Sequence, residues 1–160
     1  MRQENPVTSS DITALVADLP ERVLRILAPG TPVVVTGCAG FIGSWVTESL
    51  LALGCRVTGV DAMTDYYDPA LKRENMASFS ADPDFTLRQE HLESLDAVEL
   101  LAGQRAVFHL AAQAGVRASW GASFSDYLDW NISATQKLLE ACKHPRVSGD
   151  LVRCVYSRSS

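Results

Sequence analysis

Residues Val33 to Ser44 read Val-Val-Val-Thr-Gly-Cys-Ala-Gly-Phe-Ile-Gly-Ser, and this stretch leaves the chain few folds to choose from. A β-branched run delivers the backbone to a turn holding Gly37, Gly40 and Gly43, and a helical pattern starts at once after it. A second β-like run, Arg56 to Val60, ends at an acid, Asp61. Strand, glycine turn, helix, strand and acid in this order describe a parallel unit built around a dinucleotide. The glycines let backbone approach a pyrophosphate, and the helix directs its unpaired N–H groups at the negative charge. Asp61 stands where a carboxylate accepts hydrogen bonds from a ribose diol and repels a 2′-phosphate, which favours NAD over NADP. A solvated acid at a strand end is the other reading of that position.

The rest of the chain extends the same alternation. Val33–Thr36, Arg56–Val60, Phe85–Arg88, Ala106–Leu110 and Leu151–Tyr156 read as five strands. Between them, Phe41–Leu53 is helical with Ile42, Val46, Leu50 and Leu53 on one face, and Pro69–Met76 makes one or two turns. Asp96–Ala102 is a short helix, and Asp126–Cys142 is a longer one with Leu128, Ile132, Leu138 and Leu139 inward. Helices between strands imply right-handed crossovers, so the expected fold is α/β, a Rossmann-like doubly wound parallel sheet truncated after the fifth strand. Residues 1–31 form a partly helical extension, closed by Pro29-Gly30-Thr31-Pro32, and 32–160 form the nucleotide-binding domain. Asp11–Leu27 carries apolar residues at near-helical spacing and serves either as a docking helix or as an unanchored extension.

Composition narrows the partners. A formal net charge of −5, with no run of Lys or Arg, argues against a nucleic-acid or anionic-membrane surface. No stretch approaches the roughly 18 apolar residues of a membrane span, and no basic segment precedes an apolar one at the start, so a cytoplasmic protein is expected. The four cysteines show no C-x-x-C pair and are read as free thiols, and the three histidines have no metal-ligand spacing. His109 is read as a satisfied core residue. Trp45, Trp120 and Trp130 are read as packing.

Thr36-Gly37-Cys38-Ala39-Gly40-Phe41-Ile42-Gly43 resembles the T-G-x-x-G-x-x-G turn of the extended short-chain dehydrogenase/reductase family, and His109-Leu110-Ala111-Ala112-Gln113 resembles its H-x-A-A segment. Within that family the chain is most similar to NAD-dependent nucleotide-sugar epimerases and dehydratases. Asp65-Tyr66-Tyr67-Asp68-Pro69-Ala70-Leu71-Lys72-Arg73 and Ala111–Ser119 are most similar to UDP-glucuronate 4-epimerases. The resemblance implies NAD as cofactor, held by Gly37, Gly40, Phe41, Ile42, Gly43, Asp61, Leu110, Ala111, Ala112, Gln113, Asn131 and Ser157. It implies Arg117 near the substrate, a UDP-sugar, and Ser159 in the register of a catalytic hydroxyl. At the position of the family's adenine-binding Asp the chain has His91, whose neutral ring nitrogen is able to accept the same bond. The Leu92 backbone making that bond alone, and a plain surface histidine, are the other readings. Arg158 places a cation near the expected nicotinamide.

The family's base is a Tyr followed four positions later by Lys, and none of Tyr66, Tyr67, Tyr127 and Tyr156 has that partner. The expectation is therefore the cofactor half of an enzyme that transfers hydride transiently at C4 of a UDP-sugar, inactive alone. A non-catalytic NAD-binding or regulatory protein, or a truncated remnant, are the alternatives. Leu151–Tyr156 would be an exposed sheet edge and a site of self-association.

Overall fold

The computed structural model describes residues 9–65, 68–113 and 124–157. Two short helices, α1 (Ser9–Ala17) and α2 (Glu21–Ile26), precede strand β1 (Pro32–Thr36), helix α3 (Phe41–Ala52) and strand β2 (Arg56–Val60). Helix α4 (Pro69–Met76), strand β3 (Phe85–Arg88), helix α5 (Ala97–Leu101) and strand β4 (Ala106–His109) follow. Helix α6 (Phe124–Tyr127) runs through a π-helical turn (Leu128–Ser133) into α7 (Ala134–Lys143), and α8 (Pro145–Ser148) leads to strand β5 (Arg153–Tyr156).

The strands form one parallel sheet in the order β3-β2-β1-β4-β5. The order reverses at β1, where the chain crosses from β3 to β4. That reversal opens a crevice beyond the carboxyl ends of the strands, where open α/β sheets hold their ligands. β1 is central, and Val33, Val34 and Val35 are fully buried because both faces of the sheet are covered. Val34 joins Leu101, Val107 and Leu138 on one face. Val33 and Val35 join Leu50, Val57 and Leu27 on the other. Ile12 is buried and α1 packs on α3, so the described part of the N-terminal segment docks.

Two apolar faces differ from expectation. Ile42 is exposed, and α3 instead buries Gly43, Ser44, Thr47 and Leu50, a stripe of mostly small residues. Small side chains bring the helix axis close to the sheet, which an Ile face would prevent. Leu128 and Ile132 are likewise exposed, while Ala134, Leu138 and Ala141 are buried and Leu139 is half-buried. The π-helical turn adds a residue to one turn and rotates the face, so a single helical period cannot fit Asp126–Cys142 throughout.

Candidate functional site

The glycine turn is built by contact as well as by conformation. Gly37 has φ +73°, and a β-carbon there would meet the Ala111 backbone nitrogen at 2.8 Å. A β-carbon on Gly43 would fall 1.9 Å from the Gly37 carbonyl oxygen. Gly43 therefore presses α3 against the turn, and Gly37 presses the turn against the segment after β4. Gly40 differs from both: at φ −72° it is an ordinary extended N-cap, and it lines the cleft. It supplies no side chain to cap α3, so the first N–H groups of the helix are left for a ligand. Phe41 and Ile42 open that helix with exposed side chains and are not among the cleft's lining residues.

Asp61 lines the cleft from the end of β2 and is only 6% exposed. Its Oδ2 accepts from Ala39 N–H at 3.2 Å, and its Oδ1 accepts from Met63 N–H at 2.8 Å and from Lys72 Nζ at 2.7 Å. Met63 holds a left-handed φ of 53° to make its bond. Lys72 arrives on α4, is equally buried, and also lines the cleft. A carboxylate offers about four acceptor directions, so one on Oδ2 is left for a ligand hydroxyl. The buried cation Lys72 went unassigned from sequence, because it stands eleven positions beyond Asp61 on a separate element, α4. Cys38, beneath the turn, is buried, and loss of solvation with the nearby Asp61 charge pushes its thiol up to about 12. It is unreactive at neutral pH.

Across the crevice, Leu110, Ala111, Ala112 and Gln113 line the other wall. A polar chain fixes them. Thr135 Oγ1 donates to the Asn131 carbonyl at 2.7 Å and so accepts from His109 Nε2 at 2.9 Å. The other ring nitrogen, Nδ1, is then an acceptor for the Thr36 hydroxyl at 2.7 Å, and Thr36 Oγ1 in turn accepts from the Leu110 and Ala111 N–H groups, each at 3.2 Å. Burial lowers the His109 pKa and keeps the ring neutral, as this chain of bonds requires. Asn131, in the π-helical turn, clamps Gln113 from behind: Oδ1 accepts from Gln113 N–H at 2.7 Å and Nδ2 donates to the Gln113 carbonyl at 3.2 Å. It is a positioning residue outside the lining. Gln113 Oε1 is buried without a hydrogen-bond partner among the described residues.

Ser157 continues the β5 ladder, donating its N–H to the His109 carbonyl at 3.3 Å, and is exposed and outside the cleft lining. Arg117, Arg158 and Ser159 lie outside the described residues. Trp130, expected only to pack, lines the cleft together with His91. No group of His, Cys, Asp or Glu among the described residues could hold a metal, and no described helix is long and apolar enough to cross a membrane.

A parallel sheet with this strand order, a glycine turn at its reversal point and an acid at the end of β2 define a Rossmann-type nucleotide-binding unit. The chain belongs to the family described as GDP-mannose 4,6 dehydratase, whose model matches residues 34–160. It is 44% identical over 115 residues to an uncharacterized UDP-glucose epimerase, YtcB, of Bacillus subtilis, covering 69% of this chain and 35% of that protein. It is 40% identical over 116 residues to UDP-glucuronate 4-epimerase 4 of Arabidopsis thaliana, covering 71% and 26%. The crystal structure of a UDP-glucuronic acid 4-epimerase from Bacillus cereus, in complex with UDP-glucuronic acid and NAD, superposes with a TM-score of 0.74 at 37% identity, over 81% of this chain and 40% of that one. The chain thus spans about a third of the length of the curated relatives it matches.

Proposed function

We propose that this chain is the NAD-binding portion of a nucleotide-sugar epimerase or dehydratase acting at C4 of a UDP-sugar, with epimerisation favoured by the relatives named above. One observation carries the reading: the glycine turn, Asp61 and the Ala111–Gln113 wall, far apart in sequence, line a single cleft at the sheet's reversal point. The residues fit a dinucleotide. Gly37 and Gly40 line the cleft beside the uncapped N-terminus of α3, which suits a pyrophosphate, and the spare acceptor on Asp61 suits a ribose hydroxyl. Ala111 and Ala112 keep the far wall thin, and the orphaned Gln113 Oε1 is an acceptor for a ligand donor.

NAD, when bound, supplies a nicotinamide able to take hydride from the sugar and give it back. The chain's own residues bind and orient: helix α3 faces the pyrophosphate, Asp61 holds the ribose, and Asn131 keeps the Gln113 backbone in place. By the resemblance, Arg117 attends the substrate and Ser159 supplies a hydroxyl. These 160 residues contain no Tyr-x-x-x-Lys base, so turnover by them alone is not expected.

The test is NADH binding followed by calorimetry on the wild type, Asp61→Ala and Gly40→Val, with circular dichroism to verify the fold. Asp61→Ala weakens binding roughly tenfold to a hundredfold, the scale of one hydrogen bond to a charged group. Gly40→Val abolishes binding while leaving the fold intact, because the φ at that position accepts any residue. Retained affinity in the folded valine variant overturns the assignment of the turn.

A further inference from the structure

The four cysteines divide two and two. Cys38 and Cys55 are fully buried on the α3 side of the sheet, in the cluster around Val33 and Leu50. Cys142 and Cys154 are half-buried, and both pack against the cluster on the opposite face, around Val107 and Leu138. The secondary structure brings them there. β5 sets Cys154 beside Val107, whose side chain lies in that cluster, so Cys154 points at the helical layer over it. Cys142 stands in the last turn of α7, four positions after the buried Leu138, and shares the inward face of the helix. The two thiols meet as hydrogen-bond partners, with the Cys142 S–H donating to the Cys154 sulfur. Among the described residues β5 pairs on one side only, with β4, so the strand has room for the small approach that a bond between the sulfurs requires.

We propose that Cys142 and Cys154 form a redox-active dithiol that closes to a disulfide and fastens the edge strand β5 to α7. The co-reactant is a low-molecular-weight disulfide. The Cys154 thiolate, held by the Cys142 S–H, attacks one sulfur of the reagent and expels the first thiolate. Cys142, as its own thiolate, then displaces the second from the Cys154 sulfur. Two cysteine thiols are oxidised, the reagent is reduced to two thiols, and the two protons pass from the cysteines to the released thiolates. Burial pushes both cysteine thiols up, that of Cys142 to about 11, so the exchange is slow near neutrality and quickens as pH rises. Ser157 follows β5 and donates its N–H to the His109 carbonyl, so a fastened β5 also steadies the strand ends beyond β4. This chemistry needs no dinucleotide in the cleft.

The experiment incubates the folded full chain with oxidised glutathione at mildly alkaline pH and reads thiol titre, intact mass and a peptide map. Two of the four thiols are expected to disappear, with the crosslink mapped to Cys142 and Cys154 and no glutathione retained. In Cys142→Ser the remaining Cys154 stops at the mixed disulfide with glutathione. The crosslinked wild type unfolds at a Tm higher by about 5 °C or more, the scale for closing a short loop in a chain of this length. Hydrogen exchange at Cys154, Val155 and Tyr156 slows by about tenfold, because opening of the edge strand now strains the bond. Dithiothreitol reverses both changes. A titre that does not fall, a crosslink between other cysteines, a wild type that stops at the mixed disulfide, or a crosslink that leaves exchange in β5 unchanged overturns the proposal.

Discussion

Strands β1 and β5 belong to one parallel sheet and have opposite fates. Val33-Val34-Val35-Thr36 is fully buried between β2 and β4. Among the described residues Cys154-Val155-Tyr156 pairs with β4 alone, with Val155 44% and Tyr156 51% exposed. Strand-forming side chains, β-branched in β1 and Val and Tyr in β5, specify a strand in both, while burial comes from what lies alongside. The difference also divides the site. The half around β1 and β2 has Asp61 and Lys72 bonded to each other in the wall of the cleft, whereas Ser157, after β5, is exposed and apart from it.

Four experiments press on this contrast. The largest effect is expected in the interior, where Gly43→Ala would drive a methyl group into the Gly37 carbonyl. A loss of about 3 kcal/mol in denaturant unfolding is expected, as for severe overpacking. A loss under about 1 kcal/mol would mean that the turn gives way easily. Next comes the buried pair. Lys72→Met strands Asp61 among two backbone donors and lowers stability by about 3 kcal/mol, and adding Asp61→Asn recovers part of it. Additive losses in that double variant would deny the coupling.

The third experiment varies pH. His109 has its pKa lowered in the folded state by burial, so the unfolded chain takes up the proton first as pH falls below about 6.5. Stability from the neutral ring is complete above that pH and declines below it, by up to about 1.4 kcal/mol per pH unit. His109→Gln removes this slope, and urea titrations between pH 7 and 5 compare the two. The smallest effect on stability belongs to β5. Val155→Lys changes unfolding by less than about 0.5 kcal/mol but suppresses self-association through the exposed edge in sedimentation at high concentration. An unchanged association constant would move that contact elsewhere.

Much of the fold was legible because it depends on local pattern. The bounds of β2, α4 and β3 follow directly from where apolar runs meet Gly, Asp and Pro. The convergence of Gly37, Asp61 and Ala111 was legible too, since a βαβ order dictates which strand ends meet. What stayed hidden has non-local causes. The bond between Lys72 and Asp61 depends on how α4 folds back over the strand ends. The exposure of Leu128 and Ile132 depends on a π-helical turn that no simple period encodes. Trp130, which lines the cleft, lies in that same turn. His109 was recognisable as a core residue, but its partners Thr36 and Thr135 come from different elements and carry no shared spacing.

The Thr36 hydroxyl has one more consequence. Its hydrogen points into a buried ring nitrogen while its oxygen is covered by two amides, so it leaves for solvent only when β1 and β4 part at their ends. Most hydroxyl protons exchange too fast to be seen. This one should give a resolved proton resonance, and its lifetime would act as a clock for the opening of the seam on which the whole crevice is founded.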